Sequence, residues 1–124
     1  MEGGGAGPYG SVITEHFRRP RNQGSLPDAT ASAEVANPLC GDRIRVAVLV
    51  DGGRIAEARF VANACAICVA AASLLTEHVR GMPPDDAMRF GDDGLLALVG
   101  TVPAARTRCA TLPGEALRRA LAGA

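Results

Sequence analysis

Apolar residues recur at helical spacing near the start of the chain, at strand spacing through its middle, and at helical spacing again toward its end. Val12, Ile13, His16 and Phe17 fall on one helical stripe, Ser11 stands where an N-cap belongs, and Pro20 closes the segment. This predicts a helix over 10–19. Residues 20–31 are rich in Pro, Asn, Gly and Ser and read as a loop. A short strand over 32–37 follows. Residues 43–50 then alternate, with Ile44, Val46, Val48 and Val50 on one face and Arg43, Arg45, Ala47 and Leu49 on the other. Asp51-Gly52-Gly53 supplies a tight hairpin turn, and residues 54–61 return as a second long strand with Ala56, Ala58 and Phe60 on one face. The three strands form an antiparallel meander.

After residue 64 the period changes. From Cys65 to Arg80 the stripe Ile67, Ala70, Ala71, Leu74, Leu75, His78 and Val79 predicts a long amphipathic helix, which Gly81 and Pro83-Pro84 stop. Short helices follow over 85–90 and from Asp92 or Asp93 through Leu98. Residues 103–111 read as a connector and 113–122 as the final helix. The order of helix, strands and helices gives the α+β class: a small three-stranded antiparallel sheet with helices packed on one face. Residues 1–8 are Gly-rich and read as a flexible tail, leaving one domain over 9–124.

Composition narrows the function classes. The 124 residues are 48% hydrophobic and 21% charged, which suits one domain with a true core. Thirteen basic residues, all arginine, balance thirteen acidic ones for a net charge of 0. Gripping nucleic acid through its phosphates calls for a basic surface, and aromatic side chains make up only 3%, so base stacking is disfavoured too. The absence of lysine excludes Schiff-base and P-loop chemistry. No apolar run is long enough to span a membrane, and MEGGGAGPYG lacks the charged and apolar regions of a secretory signal. A cytoplasmic protein is expected, where four cysteines serve as thiols or metal ligands rather than disulfides.

Those cysteines carry the candidate chemistry. Cys40 sits in Asn37-Pro38-Leu39-Cys40-Gly41-Asp42, just before a strand; Cys65 follows a strand where the long helix begins; Cys109 is placed in the connector before the last helix. All three stand at element ends and can converge at one end of the sheet. A helix N-terminus favours the thiolate, the form that binds metal or attacks a persulfide, and this bears on Cys65 and Cys68. Asp42 offers a carboxylate at the same mouth. Three thiolates and one carboxylate suit tetrahedral zinc or a [2Fe-2S] cluster. A carboxylate is the harder and weaker ligand, so such a site releases its load more readily than a four-cysteine site. Cys68 is read as a buried helix residue facing the sheet. Its alternative is a fourth ligand in place of Asp42, which would close a small structural zinc site.

Three separated motifs also resemble one family, the iron–sulfur cluster scaffolds IscU, SufU and the N-terminal domain of NifU. Tyr9-Gly10-Ser11 through Glu15-His16-Phe17, with Pro20-Arg21-Asn22 and Gly24, is similar to the family's first helix and its ending. Asn37 to Asp42 resembles its NPxCGD motif. Phe60 to Ser73, with Cys65 and Ala70-Ala71-Ala72-Ser73, and Arg106 to Leu112, with Cys109, resemble its second and third cysteine segments. The resemblance covers roughly 9–121. It implies the SufE/NifU-like fold, a cluster bound by Cys40, Cys65 and Cys109, and Asp42 as the aspartate that tunes release. It also implies a cysteine desulfurase as sulfur donor, apoproteins as recipients and a homodimer on cluster binding.

The chain departs from the family at Ala64, which stands where glycine is common, and at Cys68, a position of small or hydroxyl residues. Arg108 replaces the histidine that precedes the third cysteine in IscU, and Val102-Pro103-Ala104-Ala105-Arg106 replaces the stretch read by a chaperone ATPase. Arg108 leans toward SufU. The short spacing of 44 positions from Cys65 to Cys109 lacks the insertion that SufU proteins carry.

The first functional expectation is therefore a non-enzymatic scaffold that binds iron and accepts sulfur, with Arg106 and Arg108 offsetting the site's negative charge. The second is a zinc-dependent sulfurtransferase resembling SufU, with Cys109 taking the persulfide. The third is a structural zinc module. No membrane or nucleic-acid partner is expected. His16 and His78 are read as packing or surface residues, Asp85-Asp86 and Asp92-Asp93 as helix N-terminal charges, and Arg118-Arg119 as a helix C-terminal pair.

Overall fold

A computed structural model describes residues 10–39 and 41–123; the expected tail and Cys40 lie outside the described residues. The chain runs α1 (Ser11–Arg18), β1 (Ala31–Asn37), β2 (Asp42–Asp51), β3 (Arg54–Asn63), α2 (Ala66–Val79), α3 (Pro84–Arg89), α4 (Asp92–Val99), a 3-10 turn (Ala104–Arg106) and α5 (Thr107–Ala122). The strands form one antiparallel sheet in the order β1-β2-β3. The alternation read in β2 determines which face is buried. Ile44, Val46 and Val48 point into the core, where Val46 pairs with Phe60 and Val48 with Ala58. α5 packs across β1 and β2, α2 across β3, and α1 and α4 against α2, so the helices cover one face.

Local chemistry explains how the first segment is pinned. Pro20 ends α1, and Asn22 adopts φ 64, a left-handed conformation that asparagine tolerates better than most residues. The Arg21 backbone N–H donates to Ser73 Oγ at 2.8 Å, and Asn22 Nδ2 donates to Thr76 Oγ1 at 3.3 Å. Asn22 and Gly24 then exchange backbone bonds with Phe60, at 3.0 and 2.8 Å, and cover one end of the β3 edge. Gly81 and Met82 cover its other end through Ile55.

Four boundary or facing expectations change. The helix over 10–19 is capped by Gly10 rather than Ser11, which is already helical. In β3 it is Ile55, not Ala56, that is buried with Ala58 and Phe60. A bulge opposite Leu49 and Val50 inserts Ala56 and flips the alternation there. α2 is not a one-sided amphipathic helix: ten of its fourteen residues are buried, because α1, α4, α5 and the sheet surround it. The last helix begins at Thr107, so Cys109 lies in its first turn and not in a connector. Pro113 sits inside that helix despite the usual cost of an interior proline. Burial of Ala110, Leu112, Ala116 and Leu117 in the core outweighs that local preference. The N-cap of α4 is Gly91, not Asp92 or Asp93, which lie in its first turn and make no side-chain capping bond.

Candidate metal centre

The β1–β2 turn begins the site. Asn37 is buried, its Oδ1 accepts the Leu39 backbone N–H at 3.1 Å, and its carbonyl accepts the Gly41 N–H at 2.8 Å. Gly41 at φ 77 takes a conformation that a side chain would strain. The turn returns the chain so that Asp42 pairs with Asn37 and opens β2 with its side chain inward. Cys65 is the N-cap residue of α2, and Cys109 is the third residue of α5. Two helix N-termini therefore meet the start of β2, an arrangement that favours negative charge between them.

One ligand atom each from Asp42, Cys65 and Cys109 lies within 4.8 Å of the others. A tetrahedral ion with bonds of ~2.0–2.3 Å spaces its ligands about 3.3–3.8 Å apart, so the three need only a small closure to share one. Asp42 is 6% exposed. Its Oδ1 accepts the Cys65 backbone N–H at 3.3 Å, while Oδ2 is buried with no hydrogen-bond partner. A buried orphan oxygen beside two thiols is the donor that a cation would satisfy. The Cys109 thiol is 2% exposed and is pushed up from 9.0 to about 12. Burial is the largest cause, followed by the charge of Cys65 and by hydrogen bonding with Asp42. Without a cation this thiol holds its proton at neutral pH; a bound cation would replace that proton.

Of the residues singled out in the sequence, Asp42, Cys65 and Cys109 come together. Cys40 lies outside the described residues, between Leu39 and Gly41 in sequence. Cys68 is fully buried in the core of α2 and outside the converging group. Cys65, Cys68 and Cys109 are present as thiols. Arg108 does not face the site's charge alone: it pairs with Glu115 at 2.6 Å, and Arg119 takes the other Glu115 oxygen at 2.7 Å. Arg106 is exposed in the 3-10 turn. Arg118 pairs with Asp92 of α4 at 2.9 Å. His16 is a packing residue, with Nδ1 2.8 Å from Ser73 Oγ, and His78 packs its ring on Phe90 at 4.5 Å between centroids.

Sequence reasoning passed over Leu39, which is 95% exposed beside the site. An apolar residue inside a polar turn was the available signal. It also passed over Ser73 as the shared partner of His16 and Arg21, a hydroxyl in an otherwise apolar run.

The NifU-like N-terminal domain family matches residues 8–123. The chain belongs to that family. Relatives carry the same three names as the resemblance. Iron-sulfur cluster assembly scaffold protein IscU 1 of Archaeoglobus fulgidus is 33% identical over 113 residues, covering 91% of this chain and 74% of that protein. Zinc-dependent sulfurtransferase SufU of Bacillus subtilis is 34% identical over 133 aligned positions, covering 92% of this chain and 89% of that protein. The second alignment is longer than this whole chain, so the Bacillus protein carries residues that this member of the NifU-like family lacks. The N-terminal part of a nitrogen-fixing NifU-like protein from Brucella abortus shares the fold, with a TM-score of 0.75 at 22% identity over 92% of each chain. Among the described residues no helix is long and apolar enough to cross a membrane.

Proposed function

We propose that this chain is a scaffold on which an iron–sulfur cluster is assembled and from which it is passed to apoproteins. The observation that carries the reading is the convergence of Asp42, Cys65 and Cys109 at two helix N-termini, with Asp42 Oδ2 buried and unsatisfied. Cys40, two residues before Asp42 in the sequence, is the third thiol of the set. Sulfur comes from a cysteine desulfurase as a persulfide, a two-electron reductant such as a dithiol or reduced ferredoxin converts its outer sulfur to sulfide, and iron joins that sulfide on these thiolates. The mixed donor set favours release over retention, because one carboxylate is a poorer partner for cluster iron than a fourth thiolate. The reading places the chain in a reducing, cytoplasmic compartment, where thiols persist, and has two copies share a cluster during hand-over.

A second reading is favoured by one comparison, the similarity to the zinc-dependent sulfurtransferase of Bacillus subtilis. The same donors fit zinc, which would hold the thiols as thiolates until sulfur arrives. Cys109 would then be the persulfide acceptor and the protein a sulfurtransferase. The near-gapless match to the Archaeoglobus scaffold, set against the extra residues of the Bacillus protein, supports the scaffold reading.

The test is transfer. Protein incubated anaerobically with a cysteine desulfurase, cysteine, ferrous iron and dithiothreitol is mixed with an apo-ferredoxin. Appearance of holo-ferredoxin absorption, lost in Cys65→Ser, is expected of the scaffold. Desulfurase stimulation that requires zinc, with no cluster transferred, would establish the second reading instead.

A further inference from the structure

Among the described residues no helix covers the outer face of the sheet, and the segment over residues 24–30 crosses it as a strap. The strap is tied at both ends. The Gly24 N–H donates to the Phe60 carbonyl at 2.8 Å, the Thr30 N–H donates to the Val48 carbonyl at 2.7 Å, and Thr30 Oγ1 accepts the Val50 N–H at 2.8 Å. Between these ties it stands off the sheet and leaves a groove of about 420 Å³. That lies in the range of small-molecule sites, about 300–1,000 Å³.

The floor of this groove is cationic. Arg45 of β2 and Arg59 of β3 are diagonal neighbours on the same face, since Arg45 pairs with Val61 and Ala47 with Arg59. Among the described residues no acidic side chain lines the groove. Most other arginines on the described surface meet a carboxylate closely, as Arg21 does at 3.0 Å, Arg89 at 2.8 Å and Arg118 at 2.9 Å. Arg45 has no carboxylate partner among the described residues; it donates once, to Ser32 Oγ at 2.9 Å. The Arg59 Nε is buried with no hydrogen-bond partner, and its nearest acid, Glu57 at 3.9 Å, is shared with Arg80 at 3.7 Å. Each guanidinium offers five N–H donors, so nearly all of the donor capacity in the groove is unused by the described residues. The walls are apolar, with Leu26 and Pro27 on the strap and Val61 49% exposed opposite.

We propose that this groove binds a small organic anion bearing two or more carboxylates or a phosphate ester. Its oxyanions bridge Arg45 and Arg59, and its carbon skeleton rests on Leu26 and Val61. Paired guanidiniums suit the planar or forked oxygens of such groups. Glu34 stands opposite Arg45 across β1–β2 but bonds Arg43, and Glu57 is shared with Arg80, so both guanidiniums keep donors that such an anion would take up. The site lies on the opposite face of the sheet from Asp42, Cys65 and Cys109 and does not depend on the reading of that centre.

Amide NMR spectra of the protein, titrated with tricarballylate and separately with glycerol 3-phosphate, test this directly. Glycerol is the uncharged control. The expected result is saturable shifts over residues 24–32, 45–47 and 59–61 with at least one anion and none with glycerol. Arg45→Gln and Arg59→Gln should each weaken binding about tenfold or more, the usual consequence of losing a charge-assisted pair. Both side chains are at the surface, so unchanged spectra elsewhere will show that the variants fold. Saturation by tricarballylate alone assigns a polycarboxylate, and saturation by glycerol 3-phosphate alone assigns a phosphate ester. Failure of both anions to saturate below about 10 mM, or equal binding by the two variants and the parent, overturns the proposal.

Discussion

Metal-free protein should carry one thiol that refuses to ionise. Cys109 is pushed from 9.0 to about 12 by burial first, then by the charge of Cys65 and by hydrogen bonding with Asp42. Three pH units correspond to about 4 kcal/mol, or roughly a thousandfold less thiolate at any pH well below 9. Alkylation by iodoacetamide consumes only thiolate, so its rate climbs tenfold per pH unit until the thiol has ionised. Burial also slows the reagent's access, but by the same factor at every pH. The informative quantity is therefore the slope against pH, read by mass spectrometry on the Cys109 peptide after short pulses. The rate should still be climbing at full slope at pH 10. In guanidinium it should level off near the ordinary thiol value, about 8.5. Asp42→Ala removes one of the causes and should raise the Cys109 rate several-fold at fixed pH. A Cys109 rate that levels off near pH 9 in the folded protein would refute the reasoning.

Three further outcomes follow from the packing. Burial, with the Arg21 charge adding to it, lowers the His16 pKa below 6.5 against the opposing Glu77 and Glu15. The unfolded chain then binds the proton more tightly, so stability is complete above pH 6.5 and declines as pH falls below it; the urea midpoint should drop between pH 7.5 and 5.5, and less so in His16→Gln. Ser73→Ala strips the hydroxyl shared by His16 and the Arg21 N–H, leaving buried polar groups unsatisfied at a cost of about 1–3 kcal/mol by chemical denaturation. Cys68→Ala should leave metal stoichiometry and affinity unchanged, because Cys68 is buried in the core apart from the converging group; a tenfold loss of affinity by competition with a chelator would contradict that placement.

What the sequence disclosed and what it hid have physical causes. The alternation of Ile44, Val46 and Val48 is a local signal, and it assigned the buried face of β2 correctly. Ala56 misled because a bulge adds a residue without marking itself: alanine serves as well outside as in. The start of α5 was hidden by Pro113, whose local cost argues against a helix that long-range packing of Leu112 and Leu117 nonetheless sustains. That error left Cys109 in a connector, whereas the structure places it in the first turn of α5, which strengthens the case for a site favouring negative charge. The grouping of Asp42, Cys65 and Cys109 was legible because each stands at an element end, and ends on one side of a small sheet must meet. The orphan Oδ2 of Asp42, the pairing of Arg108 with Glu115 and the cationic groove under the strap were not legible. Each depends on where side chains find partners across elements far apart in sequence.

The most direct test of the central claim is the metal and acid-labile sulfide content of protein purified anaerobically and reconstituted with a desulfurase, cysteine, ferrous iron and dithiothreitol. Iron and sulfide in equal amounts, with a charge-transfer absorption that disappears in Cys65→Ser, is the predicted result. One zinc per chain that iron and sulfide do not displace, with no sulfide bound, would contradict it.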